Sequence, residues 1–268
     1  MRTKNSLIIV CFFQLISLTN CGAQIHDINE TLSTKTAGPF DYYVPNIYVF
    51  SVKAENALHQ HLYADTLGLM CTQYPFKIAY GNSGQNSISW VYFSKKNGSY
   101  VLNDAKVNNS YTGVKSDAEE LFLHPPREMQ YTILEICPFP YLHFPLFIGK
   151  KWDWDLEVGD QYCPSDTIRW KGNEIFSSHY EVTDSTLINL PMGKLYCYHI
   201  HATNTSKLGT SSSDFYYSYK YGMVKLCYKP LDKTNVELNL LTSFYDKNLF
   251  DKIFWTHKND SIPFLINK

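Results

Sequence analysis

The sequence predicts a mainly β protein: a curved antiparallel sheet or open half-barrel meander in the C-terminal half, with a second strand-rich region in the N-terminal half. Three observations predict it. Aromatic residues make up 16% of the 268-residue chain, 21 of them tyrosines, and tyrosine and phenylalanine favour pleated, half-buried strands over helices. Period-two alternation recurs at strand length through the second half. Between these runs stand Pro, Gly and Asn clusters of the kind that reverse a chain.

Residues 1–23 read as an export signal. Arg2 and Lys4 precede an apolar run from Leu7 to Leu18, about 12 residues and well short of the ~20 that a membrane-crossing helix needs. Its end, Leu18-Thr19-Asn20-Cys21, resembles the lipobox of bacterial lipoproteins, with Asn20 where a small residue is usual. The resemblance implies a lipidated Cys21. An ordinary signal peptidase cut after Ala23, leaving Gln24 first, is the competing reading. Either way the mature chain lies outside the cytoplasm.

Residues 24–123 form the N-terminal β-rich region. "NIYVFSV", "SISWVYFS" and "SYVLND" have strand composition, and "NSGQN" and "KKNGS" read as turns. In "KSDAEELFL", Ser116 stands three residues ahead of Glu119, a capping-box spacing that predicts the start of a short helix. "AENALHQHLYADT" suits either helix or strand. Residues 124–148 carry Pro125, Pro126, Pro138, Pro140 and Pro145 among aromatics, which predicts an extended connector without helix.

Residues 149–246 read as a domain of about six antiparallel strands. In "WDWDLEV", Trp152, Trp154, Leu156 and Val158 share one face, with Asp153, Asp155 and Glu157 on the other. "HYEVTDSTLINL" and "GKLYCYHIHAT" flank Pro191-Met192-Gly193, a hairpin connection. "NTSKLGTSSSD" reads as the next reversing loop. "SDFYYSYKY" sets Phe215, Tyr217, Tyr219 and Tyr221 on one face. "TNVELNLLTSF" does the same with Val236, Leu238, Leu240 and Phe244, and residues 247–268 form a tail.

Charged residues are 18% of the chain and nearly balanced, at net −1, so composition gives no grip on nucleic acid. Five cysteines remain in the mature chain, Cys71, Cys137, Cys163, Cys197 and Cys227, without a C-x-x-C pair, so no disulfide pattern is readable. His199 and His201, two apart on a strand with Cys197 on the same face, and His59 with His61, are candidate metal pairs. Neither has a third ligand in sequence, so no metal is expected. Asp153, Asp155 and Glu157 read as a solvent face rather than the carboxylate pair of a glycosidase. No G-x-S-x-G elbow or phosphate-binding glycine loop is present, and no cofactor is implied.

The succession "PLFIGKKWDWDLEVG", "LPMGKLYCYHI" and "DFYYSYKYGMVKL" resembles a pattern in a family of bacterial cell-envelope proteins of unknown function. The resemblance covers about a hundred residues and implies a curved antiparallel sheet with an apolar concave side. It carries over no catalytic residue. The leading expectation is a non-enzymatic, extracytoplasmic lipoprotein binding an apolar or amphipathic ligand, or an envelope protein, through Trp152, Trp154, Phe215, Tyr217, Tyr219 and Tyr221. A hydrolase of a glycan or ester, and a structural subunit of an envelope complex, are the alternatives. Because one curved sheet cannot cover its own concave side, Pro138–Phe147 is the expected cover.

Overall fold

The structure, a computed structural model, describes residues 40, 42, 46–78, 81–103 and 111–256. Cys21 and the rest of the export signal lie outside the described residues, as does the tail beyond Thr256. The described residues belong to one compact unit, Ala37–Lys268.

The described residues form thirteen strands: β1 (Asn46–Glu55), β2 (His61–Ile78), β3 (Gly81–Lys96), β4 (Ser99–Leu102), β5 (Tyr111–Ser116), β6 (Glu120–Leu123), β7 (Tyr141–His143), β8 (Lys151–Gly159), β9 (Asn173–Leu190), β10 (Gly193–Ser206), β11 (Gly209–Ser218), β12 (Gly222–Lys229) and β13 (Asn235–Tyr245). A helix, α1 (Lys247–Thr256), follows. All lie in one antiparallel sheet ordered β7-β6-β5-β3-β2-β1-β13-β12-β11-β10-β9-β8, with β4 paired to β3 outside that path. The sheet is mainly β, curved and nearly closed into a barrel.

β8 to β13 are the six-strand meander that alternation predicts, with Trp152, Phe176, Tyr180, Ile200, Phe215, Leu226 and Leu238 buried. The first and last long strands pair over their whole length, from Asn46 opposite Tyr245 to Glu55 opposite Asn235. That ladder merges the N-terminal and C-terminal regions into one sheet, so the connector joins the sheet's two ends.

Five local expectations differ from the structure. A bulge rephases β13, because one extra residue turns every later side chain to the other face. The register skips Leu241, pairing Phe50 with Leu240 and Val49 with Thr242. Phe244 consequently leaves the face of Leu238 and packs with Ile47, Val49, Met70, Val91 and Phe93 in a second core on the outer side, beside Leu249 and Phe250 of α1. On β9 the register with β10 skips Thr183, Asp184 lying opposite His199 and Val182 opposite Ile200, and Cys197 packs in the main core rather than with the histidines.

"KSDAEELFL" makes no helix. Asp117 accepts hydrogen bonds from the N–H groups of Glu119 and Glu120 at 2.9 Å each, a side-chain turn that lets β5 reverse directly into β6. "NTSKLGTSSSD" is mostly strand, reversing only at Lys207–Leu208. The connector does coil, in a run of 3-10 turns over Met129–Ile136, because its prolines stand on either side of that stretch.

The connector plugs the concave side. Tyr131, Leu134, Ile136, Cys137 and Leu142 are buried in the main core, and Phe139 is buried beside them in the connector. Polar side chains on the inner face of β9, β10 and β11 catch its carbonyls: Asn204 Nδ2 and Ser211 Oγ donate to Ile136 O at 2.9 and 3.2 Å, Ser213 Oγ to Pro138 O at 3.2 Å, and Tyr180 OH to Phe139 O at 3.0 Å. The plug's backbone supplies acceptors for these inward donors, while Asn204 Oδ1 receives no hydrogen bond.

Candidate functional site

The sheet's two edge strands do not pair by backbone. β7 has three residues against nine in β8, so side chains alone meet across the seam. His143 and Trp152 rings lie 5.8 Å apart and Tyr141 and Trp154 rings 5.5 Å apart. Further along β8 the seam opens into a cleft of about 580 Å³, bounded by Trp154, Leu156, Glu157 and Val158 on one side, and by β5, β6 and the plug on the other. That volume falls in the ~300–1,000 Å³ range of small-ligand sites.

One wall is aromatic. Trp154 lies 5.7 Å from Phe122 and 5.7 Å from Phe139, and Phe122 and Phe139 are 5.9 Å apart. At one end Tyr141 OH donates to Glu120 Oε2 at 2.6 Å, and Lys115 bridges Glu120 and Asp117. Burial works to raise the Glu120 pKa, but bonds from Lys115 and Tyr141 outweigh it and lower the value.

The other end is unlike it. Glu135 is 7% exposed. His124 Nδ1 lies 2.8 Å from the Pro125 carbonyl, which can only accept, so this nitrogen carries the proton and Nε2 of the neutral ring presents a lone pair. That lone pair faces Glu135 Oε1 at 3.5 Å and offers the carboxylate nothing. Arg127 Nε stands 3.2 Å from the same oxygen, close enough to attract but not aligned, so Oε1 receives no hydrogen bond. Burial, only partly offset by Arg127 and reinforced by Glu128, raises Glu135 to about 7. Burial lowers His124 to about 3, keeping it neutral. The Arg127 guanidinium also lies 5.0 Å from the ring centre of Tyr162.

The six rings singled out in the sequence scatter. Trp154 lines the cleft. Trp152 stacks on Tyr180 at 5.3 Å. Phe215 and Tyr217 are fully buried, with Tyr217 OH accepting from Phe40 N at 2.9 Å. β11 ends at Ser218, so Tyr219 and Tyr221 lie in the following turn. There Tyr219 sits between Phe144 and Tyr198 at 6.2 and 6.0 Å, and Pro138–Phe147 does cover this face. His124, Arg127 and Glu135 escaped the sequence reading. Their signal was three ionisable residues within a Pro-flanked apolar segment.

On the outer face His199 Nε2 and His201 Nδ1 both contact Asp214 Oδ1, at 2.8 and 2.9 Å. His199 stacks on Tyr216 with ring centres 4.6 Å apart. His59 lies in the β1–β2 turn with φ 58°, apart from the strand that begins at His61. Among the described residues no group of three or more His, Cys, Asp or Glu is arranged to hold a metal ion. Cys137, Cys163, Cys197 and Cys227 form no disulfide. Among the described residues no helix is long and apolar enough to cross a membrane.

No protein-family model matches the sequence, and no curated protein matches it. Among solved structures the chain is similar to a protein from Bacteroides fragilis described as exported and of YmcC-like fold, at 10% identity and TM-score 0.44, over 77% of this chain and 98% of that one. It is similar to a protein from Parabacteroides distasonis described as a lipoprotein, at 9% identity and TM-score 0.42, over 77% and 99%. It is also similar to the hypothetical lipoprotein YmcC from Escherichia coli, at 10% identity and TM-score 0.35, over 73% and 84%.

Proposed function

We propose that this is an extracytoplasmic cell-envelope protein, anchored through a lipidated Cys21, that holds an amphipathic ligand in the cleft between β8 and the β5–β7 edge. The observation that carries the ligand reading is the cleft itself: an aromatic wall around Trp154 flanked at both ends by charged groups. The basic, apolar and Cys21-terminated N-terminal sequence supports the anchor. Of the six rings named from sequence, Trp154 belongs in this ligand site. Phe215 and Tyr217 serve as core.

Saturable binding of the neutral probe N-phenyl-1-naphthylamine, lost in Trp154→Ala with the fold retained by circular dichroism, is the expected result. Equal binding by both proteins removes the cleft reading. Fatty-acid labelling of the wild type but not of Cys21→Ala tests the anchor separately. Glu135 favours a second reading, because a buried carboxyl raised to about 7 suits a general acid in a glycan hydrolase. Turnover of a glycan that is abolished by Glu135→Gln would establish it in place of simple binding.

A further inference from the structure

The chemistry of the cleft narrows its ligand, given that the cleft binds one at all. Half of the fourteen residues lining it are charged or carry amide or imidazole groups. A plain acyl chain would desolvate these groups without repaying a single hydrogen bond. An anionic ligand fares no better, because both cations are already matched: Lys115 by Glu120 and Asp117, Arg127 by Glu135 at 3.2 Å. A fourth carboxylate, Glu157, stands at the rim and accepts a hydrogen bond from Asn173 Nδ2 at 2.6 Å. The lining therefore has no surplus positive charge to offer a phosphate or sulfate.

What remains is a neutral molecule that carries hydroxyl donors and also apolar faces. The cleft offers each its counterpart. Trp154 and Tyr162, the latter 38% exposed, present ring faces. Glu135 Oε1, deeply buried and without a hydrogen bond, is an acceptor waiting for a donor that His124 cannot supply and Arg127 does not aim. We propose that the ligand is a short neutral saccharide, its C–H face against Trp154 and one hydroxyl donating to Glu135 Oε1. Satisfying a buried orphan acceptor gives that hydroxyl more weight than a contact at a wetted rim.

The test uses the purified mature chain and follows tryptophan fluorescence and heat of binding. Three kinds of probe are compared: cellotetraose and chitotetraose as neutral saccharides, dodecanoate as an acyl chain, and tetragalacturonate as an anionic saccharide. Saturable binding of a neutral tetrasaccharide is expected, with tetragalacturonate at least tenfold weaker. Glu135→Gln should weaken the neutral saccharide about tenfold, and Trp154→Phe should weaken it less than Trp154→Ala does, each with the fold retained by circular dichroism. Dodecanoate binding with both neutral saccharides silent overturns the saccharide assignment and leaves the cleft as a ligand site. Silence from all the probes removes both. Saccharide binding unaltered by Glu135→Gln and Trp154→Ala places the site elsewhere and overturns the proposal.

Discussion

Two carboxylates separate the inside of this molecule from its outside. Glu135 on the cleft floor and Asp214 on the outer face are both substantially shielded from water, and in each case burial is the largest influence on the pKa. They nevertheless move in opposite directions. On Asp214, hydrogen bonds from His199 and His201 overcome burial and bring the pKa down to about 2. Glu135 has two nitrogen-bearing neighbours as well, yet one presents a lone pair and the other is misaligned, and it rises to about 7. The comparison teaches that aligned donors, rather than nearby charges, decide whether a shielded carboxylate is stabilised.

The largest effect expected from breaking this comparison is at Glu135. Its folded pKa of about 7 lies above the unfolded value near ~4.3, so the native state binds the extra proton in between. Glu135 therefore lowers stability progressively as pH rises through that window, and the full penalty is present above it. Glu135→Gln should gain on the wild type by roughly 2–3 kcal/mol between pH 5 and pH 8, measured by urea denaturation. A constant difference at the two pH values would contradict the lone-pair arrangement at His124.

Asp214 should give the opposite sign and a somewhat smaller effect. Its folded pKa is lowered, so its contribution is present above ~4 and is lost as pH falls toward 2. Asp214→Asn should cost about 2 kcal/mol at pH 7, with wild type and variant converging toward pH 2. Persistence of the difference in acid would mean that packing, rather than the two histidine bonds, holds the residue.

The smallest effect sharpens the comparison at the far end of the cleft, where Glu120 has what Glu135 lacks. Tyr141→Phe removes one aligned donor and leaves Lys115, so a loss of about 1 kcal/mol is expected. A loss beyond that, seen in thermal melts at pH 7, would show that Tyr141 and Lys115 act as a unit.

The sequence by itself determined what depends on near neighbours along the chain. Trp152, Trp154, Leu156 and Val158 turn inward and Asp153, Asp155 and Glu157 outward, because side-chain direction in a strand alternates residue by residue. The six-strand meander and the need for a cover over its concave side follow from the same local rule. Tertiary structure decided what depends on partners far away. The β1–β13 ladder, which merges two apparent regions, joins residues nearly two hundred positions apart. The skipped Leu241 that turns Phe244 outward is set by the register with β1, and no period within "TNVELNLLTSF" announces it. Ser211, Ser213 and Asn204 look like loop residues until the plug's carbonyls meet them. His124, Arg127 and Glu135 stand within twelve consecutive positions in plain view. Their chemistry comes from the sheet that closes over them, since desolvation belongs to the folded surroundings and not to the residue.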